Sequence, residues 1–208
     1  MPDLLERDEM QRTILFGVAG ILAVVLLIWA AAFARPYELH GSEITSEVQA
    51  PAINLMSADG SMFQMSAVKG KVVLLVFGFT SCMDVCPTTL ADFKRIKADL
   101  GEKVDQMAFV FITVDPQRDT PESAQAYAAG FDPQFIGLSG SEAELEPVWQ
   151  GYGVYRKITE SDGMAGYQVE HSSRVYLVDT TNRLRVTYPY GTPVEDLAAD
   201  IRFLLKEK

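Results

Sequence analysis

With 208 residues, 48% of them apolar and 22% charged, the chain can bury one substantial core, so a single domain with appendages is expected. Its formal charge of −10 would repel nucleic-acid phosphates and excludes a nucleic-acid-binding protein. The chain holds only two cysteines and two histidines, and no internal repeat or low-complexity block is present.

An acidic leader, residues 1–12, precedes an apolar run without charge from Thr13 to Ala34. As a helix rising about 1.5 Å per residue, this run is long enough to cross a hydrocarbon core of roughly 30 Å. A cleaved signal peptide is the rival, and Ala32-Phe33-Ala34 fits a small-x-small cleavage pattern. The run is longer than a signal peptide's apolar region and its leader is acidic, which favours a retained anchor over 13–34. Arg7 and Arg12 before the span, against Arg35 alone close after it, favour a cytoplasmic N-terminus and a domain on the far side. The leader is unlike an Arg-rich, acid-poor mitochondrial presequence, so a bacterial inner membrane with a periplasmic domain is expected. Residues 35–50 read as a linker, with His40 solvated in it, and 51–208 as the domain. Met56, Met62 and Met65 are expected to fill the apolar face of a hairpin.

"KVVLLVFGF" (71–79) and "MAFVFITVD" (107–115) are short continuous apolar runs, as expected of strands covered on both faces. Between them, 87–101 places Leu90, Phe93, Ile96 and Leu100 at helical spacing, with Gly101 as its stop. A second helix is predicted over 119–130, capped by Asp119 or Thr120 with Pro121 in its first turn, and a third over 141–153, with Pro147 setting or bending one end. "RVYLVD" (174–179) and "RLRVTYP" (183–189) predict a hairpin across "TTN", and the chain closes on a helix. This order predicts an α/β mixed sheet flanked by helices.

Both cysteines fall where the first strand turns into the first helix of the domain. Cys82 and Cys86, four residues apart, share a helical face, and the helix N-terminus favours thiolates there. A structural disulfide, a cycling redox dithiol and a pair of soft metal ligands all fit that placement.

Taken in order, "GFTSCMDVCPTTL", "FITVDPQRDTPE" and "GYQVEHSSRVYLVD" resemble the Sco/SenC family, membrane-anchored copper-binding proteins of thioredoxin-like fold that serve cytochrome c oxidase assembly. The resemblance spans nearly all of 51–208. It implies copper ligation by Cys82, Cys86 and His171, a copper-bearing oxidase subunit as recipient and a thioredoxin-like reductant as partner. Two positions depart from the pattern: Met83 stands where proline is usual, and Glu170 where aspartate usually precedes the histidine. Met83 reads as an exposed turn residue or a weak thioether contact. Glu170 and Asp84 are candidates for the surroundings of the ligands, Asp84 equally a turn residue. Asp115 and Asp119 read as turn and capping residues with a role in shaping the site.

Two thiolates and an imidazole suit Cu(I), and Cu(II) with a further oxygen ligand. The main alternative is a thiol:disulfide oxidoreductase in which Cys82 attacks and Cys86 resolves. A peroxidase would need an arginine-supported cysteine that the sequence does not indicate. A tethered module with an inert disulfide is the non-chemical reading.

Overall fold

A computed structural model describes residues 3–33, 36–44, 48–160 and 166–207. Ala34 and Arg35, on which the cleavage pattern and one flanking charge rest, lie outside the described residues. The chain divides into two units, one up to Glu38 and one from Leu39 onward. The first holds a single helix, α1 (Asp3–Phe33), whose segment Gln11–Ala31 is long and apolar enough to cross a membrane and buries none of its side chains in protein.

The second unit contains, in chain order, β1 (Ser42–Glu43), β2 (Asn54–Met56), β3 (Met62–Gln64), β4 (Val72–Gly78), α2 (Val85–Leu100), β5 (Met107–Thr113), α3 (Pro121–Phe131) and β6 (Ile136–Leu138). It continues with α4 (Glu142–Gly151), β7 (Arg156–Glu160), β8 (Tyr167–His171), β9 (Arg174–Val178), β10 (Leu184–Pro189) and α5 (Val194–Leu204). Six strands form one sheet in the order β1-β10-β9-β4-β5-β6. β4, β5 and β6 are parallel, while β9 runs antiparallel to both β4 and β10. This is the mixed, helix-flanked sheet that the sequence predicts.

Every residue of β4 and β5 is buried, because both faces of the sheet are covered. Side chains alternate along a strand, so Val72, Leu74 and Val76 pack with Phe93 and Ile96 of α2 and Ile201 of α5. Val73, Leu75 and Phe77 pack on the other face with Leu145 and Trp149 of α4 and with Leu55 and Phe63 of the β2–β3 hairpin. Each such side chain contributes about 1.5–3 kcal/mol by leaving water. The helix ends follow local chemistry. Thr120, not Asp119, caps α3 by accepting from the Ser123 N–H, and Ser141 with Glu144 forms a capping box on α4. Pro147 lies inside α4 rather than at an end; the carbonyl it leaves unbonded, that of Ala143, is in the exposed first turn where water reaches it.

Three features differ from the sequence expectation. The β7–β8 hairpin and the short edge strands β1 and β6 have too few apolar residues to announce themselves. Of the three methionines expected on the hairpin, only Met65 fills the core; Met56 and Met62 are register partners on the outer face of β2–β3, 46% and 51% exposed, while Leu55 and Phe63 fill the inner face. The expected linker also enters the domain: Ser42 and Glu43 pair with β10 and Ala50 is buried.

His40 is anchored there rather than simply solvated. Its Nδ1 stands 2.6 Å from Asp200 Oδ1, and its backbone N–H donates to Oδ2 at 2.9 Å. The Tyr188 hydroxyl donates to the same fully buried carboxylate at 2.6 Å. Hydrogen bonding to Asp200 raises the His40 pKa above 6.5, against an opposing effect of burial. A raised folded value means that the stabilisation is full below the unfolded pKa and is lost as pH rises through the folded one. Because the His40 side chain is 38% exposed and solvent screens the pair, His40→Ala should destabilise the protein by only about 1 kcal/mol, lowering Tm by about 2–4 °C. Thermal melts at pH 5 and pH 9 should show the larger gap between wild type and variant at pH 5; an equal gap would show that the imidazolium form contributes nothing.

Candidate functional site

The parallel strands β4 and β5 end at the same edge of the sheet, and the chain leaving β4 turns through 79–84 into α2. Cys82 is half-buried in that turn, and Cys86, 2% exposed, is the second residue of α2, followed by Pro87. The helix starts at Val85, so both Cys86 and Pro87 lie in its first turn. Asp84 occupies the N-cap position but makes no side-chain cap. The Cys82 sulfur takes that place, accepting from the Cys86 N–H at 3.4 Å.

That exchange of roles sets the electrostatics of the pair. The Cys86 thiol, the His171 imidazole and the N–H groups of Asp84 and Cys86 hold the Cys82 thiol down to about 3, against an opposing effect of burial. Cys86 is driven strongly upward, first by Cys82 beside it and then by its own burial. Near neutral pH the pair therefore holds one thiolate, at the more exposed position, and one thiol beneath it. Both cysteines are free.

Gly78 makes room for this arrangement. A Cβ at position 78 would lie 2.6 Å from Cys86 Sγ and 2.9 Å from the Phe111 ring, closer than any side chain tolerates. The last residue of the strand is thus the contact that seats the buried sulfur.

His171 arrives from far along the chain. β9 is antiparallel to β4, with Val175 opposite Val76, so the chain enters β9 at the edge where β4 ends. His171 closes β8, three residues before β9, and its Nε2 stands 4.0 Å from Cys86 Sγ. Its Nδ1 lies 3.0 Å from the Ser172 carbonyl, which can only accept, so Nδ1 carries a hydrogen and the ring turns Nε2 toward the sulfurs. The Phe79 ring meets the imidazole edge-on, with centroids 5.6 Å apart at 82°.

Cys82, Cys86 and His171 thus come together, while the other residues singled out in the sequence do not join them. Glu170 is exposed and pairs across the hairpin with Lys157, on the face opposite His171, so the ring is oriented by a backbone carbonyl instead. The Asp84 carboxylate is exposed, and its contribution is its backbone N–H to Cys82. Met83 is 95% exposed. Sequence reasoning missed Gly78, Phe79 and the Ser172 carbonyl; "FGF" before the cysteines was the available signal for the first two, whereas a carbonyl has no sequence signature. Among the described residues no group of three or more His, Cys, Asp or Glu side chains stands close enough to hold a metal ion.

A model of the SCO1/SenC family matches residues 43–206. An SCO2-like protein of Rickettsia conorii is 37% identical over 143 residues, which cover 68% of this chain and 70% of that protein. The structure of Bradyrhizobium japonicum ScoI with copper bound is 34% identical, with a TM-score of 0.68 over 76% of this chain and 100% of that one. The solution structure of apo Sco1 from Thermus thermophilus is also 34% identical, with a TM-score of 0.74 over 81% of this chain and 98% of that one.

The split between the thiols predicts that iodoacetamide alkylates Cys82 at a rate nearly constant from pH 5 to pH 8 and leaves Cys86 untouched, as read by peptide mass spectrometry. A rate rising tenfold per pH unit across that range would mean an ordinary thiol. Gly78→Ala should cost about 1–3 kcal/mol in denaturant melts, the usual cost of overpacking. It should also move the onset of Cys82 alkylation to higher pH as Cys86 is displaced.

Proposed function

The chain belongs to the SCO1/SenC family, and from that premise we propose that it is a copper carrier for cytochrome c oxidase assembly. In this reading Cys82, Cys86 and His171 take up one copper ion and release it by ligand exchange to the dinuclear copper site of an oxidase subunit. α1 tethers the domain to a bacterial inner membrane, with the domain in the periplasm; its length and its wholly exposed apolar surface support this, since lipid would cover what protein does not.

The observation that carries the proposal is the 4.0 Å between Cys86 Sγ and His171 Nε2. A metal bound at about 2.3 Å to sulfur and about 2.1 Å to imidazole, as in zinc sites, holds those donors about 3.8 Å apart when the angle between them is near 120°. The donors therefore need only a small inward shift to share an ion. Two sulfurs and one imidazole match the softness and low coordination number of Cu(I), and with an added water or other oxygen ligand they accept Cu(II). Structural zinc more often takes four protein ligands.

Protons follow from the thiol asymmetry. Cys82 is already a thiolate at neutral pH, so it supplies the first bond without losing a proton. Cys86 is a thiol and must release its proton to ligate, which makes uptake pH-dependent. In an oxidising compartment the two thiols also close into a disulfide, which a thioredoxin-like reductant must open before copper enters.

The same asymmetry favours a second reading, a thiol:disulfide oxidoreductase. The Cys82 thiolate would attack a partner's disulfide and displace one partner sulfur as thiolate. Cys86 would then give up its proton, attack Cys82 and release the partner as a dithiol, leaving this protein oxidised.

The two readings diverge at His171. If copper is the cargo, the reduced chain binds one copper, and Cys82→Ser, Cys86→Ser and His171→Ala each weaken binding by at least tenfold in a competition titration, while His171→Ala still exchanges disulfides. Copper uptake at pH 7 should release one proton from Cys86 in weakly buffered solution, and Cys86→Ser should abolish that release. Normal copper spectra without His171 would remove the imidazole from the site and leave the dithiol reading.

A further inference from the structure

We propose that Arg118 is a positioning residue for this site, clamping the cysteine turn to the strand that carries His171 and so setting how closely the imidazole approaches the two sulfurs. The inference rests on the three-donor reading above. The need for a clamp comes from topology. β7 and β8 form a two-stranded sheet of their own, outside the six-stranded ladder, so no backbone pairing within that ladder fixes where β8 lies. Tyr167, Val169 and His171 alternate along β8 on its inward face, and whatever holds Tyr167 therefore holds the strand that ends in the imidazole.

The turn between β5 and α3 supplies that hold. Asp115, fully buried, accepts from the Tyr167 hydroxyl at 2.7 Å and from Arg118 Nε. The Arg118 guanidinium lies 4.1 Å from the centre of the Tyr167 ring. It also lies 5.8 Å from the centre of Phe79, the ring on which His171 rests edge-on. Both distances fall within the range of a favourable cation–π contact. The same turn grips the cysteine loop directly: the Asp119 carboxylate accepts from the Thr80 N–H at 3.0 Å, from the Thr80 hydroxyl at 2.5 Å and from the Thr113 hydroxyl at 2.6 Å. Asp115 thus anchors the histidine strand, Asp119 anchors the cysteine loop four residues later, and Arg118 touches an aromatic ring belonging to each.

The chemistry requires arginine specifically. A planar guanidinium can lie over rings while its edge donates to a carboxylate, whereas a lysine ammonium offers a point charge without a plane. If Arg118 merely neutralised Asp115, Arg118→Lys would preserve its role. If it clamps the two rings, lysine should fail although the charge remains.

The test uses the full chain in detergent with selectively labelled His and Phe. In metal-free wild type, nuclear Overhauser contacts should link the Phe79 and His171 rings, and in Arg118→Lys they should be lost. After loading with Cu(II), Arg118→Lys should keep the sulfur-to-copper absorption, lose imidazole nitrogen splitting in paramagnetic resonance, and bind copper about 10- to 100-fold more weakly, as when a ligand's supporting partner is removed. Phe79→Leu, which leaves the Arg118–Asp115 pair intact, should reproduce the loss of nitrogen splitting and of copper affinity, and Tyr167→Phe, which keeps the ring, should retain the contact between Phe79 and His171. Unchanged ring contact and copper affinity in Arg118→Lys would overturn the proposal, as would loss of the folded circular dichroism signal in that variant while Phe79→Leu behaves as wild type. A wild type with the ring contact but no nitrogen splitting would support the clamp and sink only the three-donor reading.

Discussion

The antiparallel pairing of β9 with β4 is the constraint on which the site depends. With Val175 opposite Val76, the chain must enter β9 at the edge of the sheet where β4 ends. Residues just before β9 are therefore brought to residues just after β4, whatever their identity. In this chain the first group includes His171 and the second holds Cys82 and Cys86, so a backbone ladder brings an imidazole nitrogen to a sulfur across 85 residues of sequence. The ladder is itself held by burial on both faces of β4, where alternating side chains enter two separate cores.

Within that frame, the difference between the two sulfurs arises from the start of α2. A helix begins with N–H groups that lack intrahelical acceptors, and Asp84 does not cap them with its side chain. Cys82 does, and its negative form is stabilised by the same N–H groups and the imidazole, while Cys86 is buried beneath it against Gly78. The pair is thus one thiolate at the more exposed position and one thiol beneath it.

Support around the site is layered by distance. Phe79 touches the imidazole, Arg118 touches Phe79, and Asp115 joins Arg118 to Tyr167, so polar groups with no donor role still bear on where the nitrogen stands. His40 with Asp200 and Tyr188 plays a comparable anchoring part on the segment that leads into β1. Buried carboxylates do this work because each one must be satisfied by several donors, and those donors come from segments distant in sequence.

Much of this was legible along the chain. The continuous apolar runs of β4 and β5 required strands covered on both faces, and the spacing from Leu90 to Leu100 required an amphipathic helix, because both are local consequences of backbone period; the cysteines do fall at the entry to that helix, but Cys82 lies in the turn before Val85 rather than on a helical face shared with Cys86. The Thr120 and Ser141 caps were equally local. Tertiary structure alone decided the rest. The β7–β8 hairpin is mostly exposed and carries no strong apolar alternation, so the carrier of His171 was invisible as a strand. The role expected of Glu170 fell to the Ser172 carbonyl because alternation turns neighbouring side chains to opposite faces. The need for glycine at position 78 exists only once a sulfur from the next helix lies against it. Local pattern specifies which backbone each segment prefers, but distances between segments depend on sheet order and on contacts between side chains far apart in the chain.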